Sequence, residues 1–134
     1  MLPQERVTII QGDLDVVTAR SLVREIAKNL GFMPIDQARI ATAVSELARN
    51  IFLYAGTGQV VVRGVEKAGK KGVEIVCEDQ GPGIQDIECA LQDGYSTSGG
   101  KGMGLPGARR LMDDFIVHSV VGVGTTVTCR KWRK

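Results

Sequence analysis

Aromatic residues and long apolar runs are both scarce in this sequence. Phe, Trp and Tyr make up only 4% of the 134 residues, so a core must be built mainly from aliphatic side chains. No apolar run approaches the roughly 18 residues that a membrane span needs, and the first residues show no basic region leading into an apolar run. These absences favour a soluble, cytoplasmic protein with no membrane partner.

Cysteine is also too sparse to organise the fold. The three cysteines, Cys77, Cys89 and Cys129, are odd in number and widely spaced, without a second Cys or His at metal-ligand distance. Disulfide frameworks and zinc sites normally show paired, closely spaced ligands. We therefore expect reduced, buried thiols.

A strong charge of one sign is lacking as well. The 17 Lys and Arg residues are nearly balanced by 15 Asp and Glu residues, which leaves a net charge of +2. The basic segment at 130–134 is short, and such tails are usually only solvated. Nucleic acid is therefore not expected as a partner, although a nucleic-acid-binding protein that relies on this tail stays open as a minor alternative.

Aliphatic residues at regular spacing are what the sequence has in quantity. Hydrophobic residues make up 43% of the chain, which fits a single domain over residues 1–134. Helical spacing predicts one helix from Asp13 towards Gly31 and a second from Pro34. A third is predicted from Leu105. The second helix has the clearest apolar stripe, formed by Ile40, Val44, Leu47, Ile51 and Tyr54.

Short runs rich in Val, Ile and Thr predict strands at 7–10, 59–65, 73–79, 116–121 and 125–131. The polar residues 66–72 predict a hairpin with a longer loop, and Gly122-Val123-Gly124 predicts a closing hairpin. Together these elements predict an α/β fold of the α+β sandwich type. The expected architecture is a mixed β-sheet with helices packed on one face.

Two polar residues on the second helix are candidates for chemistry. Glu46 and Asn50 lie one helical turn apart, on the flank of the apolar stripe. The Asn50 carbonyl oxygen is a suitable ligand for a magnesium ion that is bound together with phosphates. Glu46 could act as a general base, or both residues could be ordinary surface polar residues.

A carboxylate ends the strand predicted at 73–79. Alternation places Asp79 on the same face as Ile75 and Cys77, where it needs a partner. An ionised Asp only accepts hydrogen bonds, so the exocyclic amine of adenine is a suitable donor. Gly81 and Gly83 would let a base approach the backbone closely, although a turn-forming Asp before a Pro-Gly bend is an equally open interpretation.

A glycine-rich run precedes the third predicted helix. Exposed backbone N–H groups at such a place attract phosphate, which makes Gly102 and Gly104 candidates for a lid over a nucleotide and Lys101 a candidate phosphate contact. The run does not match a P-loop, because no Gly-Lys-Ser or Gly-Lys-Thr follows. Thr125 and Thr126 could add hydroxyl groups near the base, or could be ordinary strand residues.

In their order along the chain, these motifs resemble the ATP site shared by gyrase, the large heat-shock chaperones, histidine kinases and MutL. The motifs are Glu46-Leu47-Ala48-Arg49-Asn50, Asp79-Gln80-Gly81-Pro82-Gly83, Gly102-Met103-Gly104 and Gly124-Thr125-Thr126. The resemblance covers nearly the whole chain. It implies a Bergerat-type ATP-binding fold, with ATP and Mg²⁺ as cofactors.

Longer strings at 45–51, 93–100 and 104–107 closely resemble the RsbT-type serine/threonine protein kinases of bacterial stressosomes. The resemblance implies that Glu46 is the general base, that Asn50 holds magnesium and that Asp79 binds the adenine amine. It implies that Gly81, Gly83, Gly102 and Gly104 shape the pocket and its lid. It also implies STAS-domain scaffold and antagonist proteins as substrates, and a PPM-type phosphatase as the target of a switch. A nucleotide-regulated binding module of the anti-sigma-factor kind is the alternative.

Overall fold

Two layers, a five-stranded sheet and a set of helices, make up the computed structural model, which describes residues 5–84 and 105–133. The N-terminal elements are β1 (Glu5–Ile10), α1 (Asp13–Asn29), α2 (Pro34–Asn50) and a π-helical turn (Ile51–Ala55). The remaining elements are β2 (Gly58–Lys67), β3 (Lys70–Asp79), α3 (Leu105–Leu111), β4 (Asp114–Val120) and β5 (Gly124–Trp132). The predicted α+β class is confirmed.

The sheet has the strand order β1-β2-β3-β5-β4, and each of the four strand pairings is antiparallel. The expected mixed sheet is therefore corrected to an antiparallel one. Strands β3 and β4 do run in the same direction, but the last strand, β5, is inserted between them and pairs with both. A sheet with β3 and β4 as neighbours would have contained a parallel pair.

Helices α1 and α2 pack together over one face of the sheet, as the apolar stripes predicted. We call this the inner face. Along α2, Ile40, Val44 and Leu47 are buried because their spacing keeps them on one side of the helix. The inner face of the sheet is lined by aliphatic residues and two cysteines: Ile10, Val60, Val62, Val73, Ile75, Cys77, Val127 and Cys129. Within the described ranges, no helix is long and apolar enough to cross a membrane.

The hairpin between β2 and β3 is tighter than the sequence predicted. Ladder pairing continues to Lys67 and Lys70, so only Ala68 and Gly69 form the turn. Both turn residues have positive φ, at 54° and 80°. A two-residue turn of this hand matches the twist of the flanking strands. The polar residues expected in a longer loop are therefore mostly strand residues.

The opposite, outer face of the sheet carries a buried carboxylate. The Glu74 side chain is only 5% exposed, and it accepts hydrogen bonds of 2.7 Å from Arg63 Nε and from Arg130 Nε. Burial alone would raise the pKa of Glu74, but hydrogen bonds from Arg130 and Arg63 and their positive charges hold it below its usual value. Register explains the cluster, because Arg63 and Arg130 are the two cross-strand neighbours of Glu74.

The cysteines on the inner face behave as small core residues. Cys77 and Cys129 are buried with free thiols, and burial raises the pKa of Cys77 and raises that of Cys129 to about 12. Thiols with a raised pKa are poor nucleophiles at neutral pH. Cys89 lies outside the described residues.

Candidate nucleotide-binding site

A cleft lies between the C-terminal end of α2 and the end of β3 that carries Asp79. It is lined by Leu47, Asn50, Ile51, Tyr54, Cys77, Asp79, Pro82, Gly83, Ile84, Leu105, Thr125 and Val127. Most of these side chains are apolar. The polar groups come from the ends of three elements, and such a combination is typical of small-molecule sites.

The helical wall of the cleft changes its geometry at Asn50. The α-helix ends at this half-buried residue, and the chain continues as a π-helical turn until Gly56, which has a φ of +82°. Wider turns of this kind occur frequently at functional sites. The π-helical turn supplies Ile51 and Tyr54 to the lining of the cleft, directly after Asn50.

Glu46 lies one helical turn before Asn50. Its side chain is 38% exposed, and its Oε1 atom lies 3.6 Å from Arg49 Nη1 in an ion pair along the helix. Glu46 is not among the residues that line the cleft. The structure therefore places Glu46 on the helix that forms a wall of the cleft, one turn before Asn50. Its side chain does not line the cleft.

Asp79 is oriented by the turn that follows β3. One carboxylate oxygen, Oδ1, accepts a 2.9 Å hydrogen bond from the N–H group of Gly81. This bond fixes the side-chain rotamer, and among the described residues no hydrogen bond engages the other oxygen. Asp79 therefore presents a fixed acceptor in an otherwise largely apolar cleft.

Two glycines allow the backbone to close around Asp79. Gly124 has a φ of +152°, and a Cβ atom there would overlap the backbone of Asp79. Gly83 has a φ of +78°, and a Cβ atom there would lie 2.6 Å from the carbonyl oxygen of Val120. Both positions therefore require glycine, for conformation and for space.

The β4–β5 hairpin holds the turn after Asp79 in place. The N–H group of Gly122 donates to the carbonyl oxygen of Pro82 at 2.9 Å, and the N–H group of Ile84 donates to Ser119 Oγ at 2.7 Å. Sequence reasoning missed Ser119. The available signal was its position, because alternation from Val117 turns Ser119 towards the inner face just before a glycine turn.

The structure brings together only some of the predicted site residues. Asn50, Asp79, Gly83 and Thr125 line one cleft, and Gly81 contributes its backbone N–H group to Asp79. Thr126 lies on the outer face, opposite Glu78 and His118, and is not among the lining residues. Lys101, Gly102 and Gly104 lie outside the described residues.

The arrangement suits a flat, largely apolar ligand that has a hydrogen-bond donor on one edge. Leu47, Ile51 and Val127 supply apolar surface, and Asp79 supplies an oriented acceptor. A purine base with an exocyclic amine has this combination of properties. The fold and the cleft thus define a nucleotide-binding protein.

Comparison with known proteins agrees with this class. Residues 13–131 match the family described as the histidine kinase-like ATPase domain. The chain belongs to this family, and its domain is an ATP-binding one. Similarity to a solved structure supports the fold: the RsbU and RsbW domains of a Mycobacterium tuberculosis protein superpose with a TM-score of 0.65 at 20% identity, covering 100% of this chain and 34% of that one.

Curated relatives narrow the class further. The chain is 58% identical over 123 residues to the serine/threonine-protein kinase RsbT of Bacillus subtilis, covering 92% of each protein. It is 32% identical over 120 residues to the anti-sigma F factor of Caldanaerobacter subterraneus, covering 85% of this chain and 82% of that protein. The chain is thus an RsbT-like serine/threonine kinase, which confirms the resemblance and the enzyme class predicted from the sequence.

Proposed function

We propose that this kinase transfers phosphate from ATP to serine or threonine residues of STAS-domain scaffold and antagonist proteins in a stressosome. We further propose that it then acts as a switch that activates a PPM-type phosphatase. The observation that carries the proposal is the 58% identity to RsbT along 92% of both chains, together with a cleft suited to adenine. Cytoplasmic localisation belongs to the same proposal.

Asp79 is the residue that we assign to recognition of the adenine amine. The Gly81 N–H group holds one carboxylate oxygen, so the side chain does not need to be ordered when the base binds. The surrounding apolar residues exclude water and thereby strengthen the hydrogen bond. Gly83 and Gly124 allow the backbone segments around Asp79 to pack closely, which holds this end of the cleft in shape.

Asn50 is the residue that we assign to magnesium. It is half-buried, lines the cleft and offers a neutral, hard oxygen ligand, which suits an ion that keeps several waters and binds mainly through phosphates. When bound, Mg²⁺ neutralises charge that develops on the transferred phosphoryl group. Asn50, at the end of α2, would fix the position of the magnesium ion in the cleft.

Glu46 is the residue that we assign to proton acceptance from the substrate hydroxyl group. Its position one turn before Asn50, with more than a third of its side chain exposed, leaves it accessible to a protein substrate. The ion pair with Arg49 supports one orientation of the carboxylate along the helix. Lys101, Gly102 and Gly104 complete the proposal as parts of a phosphate lid. Thr126 is left out of the proposal, because it lies on the outer face.

The test is transfer of radiolabelled phosphate from ATP to a purified STAS-domain antagonist protein. Wild type should label the substrate, and Glu46→Ala should reduce the rate at least a hundredfold while the Kd for ATP changes less than about twofold. Glu25→Ala, which removes an exposed glutamate on α1, is the matched control and should label normally. An unchanged rate in Glu46→Ala would rule out the role of base.

A binding module that uses nucleotide to regulate its grip on a partner is the second candidate. The 32% identity to anti-sigma F factors over most of the chain favours this alternative. ATP binding without any labelling of STAS-domain proteins would support it over the kinase proposal. Adding the kinase to a PPM-type phosphatase tests the switch separately, because activation should then occur in the absence of phosphate transfer.

A further inference from the structure

Two basic residues, at the end of β5 and just after it, reach the C-terminal ends of two helices. Lys131 Nζ donates a 2.9 Å hydrogen bond to the carbonyl oxygen of Leu111, the last residue of α3. Arg133 Nη1 donates a 3.2 Å hydrogen bond to the carbonyl oxygen of Leu30, the C-cap of α1. The last carbonyl groups of a helix have no partner within the helix and carry partial negative charge, so cations are favourable donors to them. Lys131 and Arg133 therefore cap α3 and α1.

The two capped helices differ in their relation to the cleft. Helix α3 supplies Leu105 to the lining of the cleft, whereas α1 supplies none of the lining residues. Leu105 and Leu111 are the first and last residues of α3, so the cleft contact and the bond to Lys131 lie at opposite ends of one seven-residue helix. A helix this short is not stable alone, and its position depends on its tertiary contacts. A displacement at Leu111 should therefore also move Leu105.

The other contacts of α3 are mainly apolar. Leu105 and Ala108 are buried in the core, and the helix packs on α2. Apolar burial is not directional, so it holds α3 on the core without fixing its exact position. The hydrogen bond from Lys131 is directional, and Lys131 itself is held in the interior of the sheet opposite Val73. Lys131 thus supplies α3 with a fixed point on the sheet.

We propose that Lys131 is a positioning residue that anchors α3 to β5 and thereby keeps Leu105 in place as a wall of the nucleotide cleft. The inference rests on the proposed ATP site. Lys131 is not among the residues that line the cleft, so its effect on a ligand passes through α3. Loss of this anchor should weaken nucleotide binding without abolishing it.

The experiment measures the Kd of ATP by calorimetry for three single variants. Lys131→Met keeps an apolar stem but removes the charge and the donor, and it should raise the Kd about fivefold, the factor that corresponds to one cap interaction of this kind. Lys131→Arg keeps a cationic donor and should retain the wild-type Kd. Arg133→Met is the matched control, because it removes the same kind of cap from α1. Its Kd should stay within about twofold of wild type.

A double variant tests whether Lys131 acts through Leu105. Leu105→Val shortens the side chain in the wall of the cleft and should itself weaken ATP binding. Lys131→Met should then raise the Kd by a smaller factor in the Leu105→Val background than in wild type, because the contact that it displaces is already impaired. A purely structural role of Lys131 predicts a lower thermal unfolding temperature with an unchanged Kd.

Three outcomes overturn the inference: an unchanged Kd in Lys131→Met, an equal rise in Arg133→Met, and fully additive effects of Lys131→Met and Leu105→Val on the free energy of binding. Lys131→Gln, shorter and uncharged, replaces Lys131→Met if that variant does not fold. All three outcomes leave the proposed ATP site intact. A wild-type protein that binds no ATP overturns the site itself.

Discussion

Two of the three carboxylates on strand β3, Glu74 and Asp79, have different surroundings in the fold. Glu74 lies on the outer face, buried between Arg63 and Arg130. Asp79 lies at the end of the strand on the inner face, partly exposed, with one oxygen held by a backbone N–H group. The first carboxylate is paired with two cations of the protein, whereas the second is oriented by a neutral backbone donor.

Along this one strand, Glu74 therefore contributes to stability and Asp79 is available for ligand binding. Two guanidinium groups satisfy both oxygens of Glu74, so it has nothing to offer a ligand. Asp79 has one oxygen that receives no hydrogen bond from the described residues, and a ligand amine can use it. Substitutions at the two positions should therefore affect different measurements.

The largest effect is expected from Glu74→Ala. It leaves two neighbouring guanidinium groups without the carboxylate between them, and we expect the free energy of unfolding in urea to fall by about 3 kcal/mol. Glu78→Ala, an exposed carboxylate on the same face of the same strand, should change it by less than about 0.5 kcal/mol. The folded fraction of Glu74→Ala should bind ATP normally, and a weakened Kd would contradict the division between the two carboxylates.

A loss of about ten- to a hundredfold in ATP affinity is expected from Asp79→Asn. Removing the charge weakens a hydrogen bond of the charged kind, which is worth about 1.5–3 kcal/mol. Thermal unfolding without nucleotide should stay within a few degrees of wild type, because the Asn oxygen can still accept from Gly81. Calorimetry measures the affinity, and an unchanged Kd would remove Asp79 from the adenine site.

A smaller effect is expected from lowering the pH. The pKa of Glu74 is depressed in the folded protein, so its contribution to stability is fully present above the ordinary value of 4.5 and is lost as the pH falls through the folded value. The difference in unfolding free energy between wild type and Glu74→Gln should therefore shrink from pH 7 towards about pH 3. A difference that grows with acidification would show that the arginines do not hold the ionised form.

The sequence predicts the elements well and their arrangement less well. The stripes on α1 and α2 fix their core faces because helical spacing is a local property. The strand order is not local, since β5 inserts between β3 and β4, and so the antiparallel sheet was wrongly expected to be mixed. The tight Ala68-Gly69 turn was predicted as a longer loop, because the residues beside it are polar. In the structure these residues continue the pairing between β2 and β3.

The site shows the same limit. Alternation correctly places Asp79 on the inner face. Thr125 and Thr126 were both candidates near the base, but adjacent strand residues face opposite sides, and only Thr125 shares the face of Asp79. The pairing of Glu74 with Arg130 joins residues 56 positions apart, and that of Ser119 with Ile84 joins residues 35 apart. Such contacts depend on the register and order of strands, which residue spacing alone does not encode. The roles of Glu46 and Asn50 stay predictions.

The place of β5 in the sheet has a consequence for the newborn chain on the ribosome. Strand β5 follows the other four described strands in the sequence but lies in the interior of the sheet, where it supplies Thr125 and Val127 to the cleft and covers the edges of both β3 and β4. Until it emerges, those edges are open and one wall of the cleft does not exist. A chain truncated before β5 would therefore lack part of the cleft, and we expect it not to bind nucleotide.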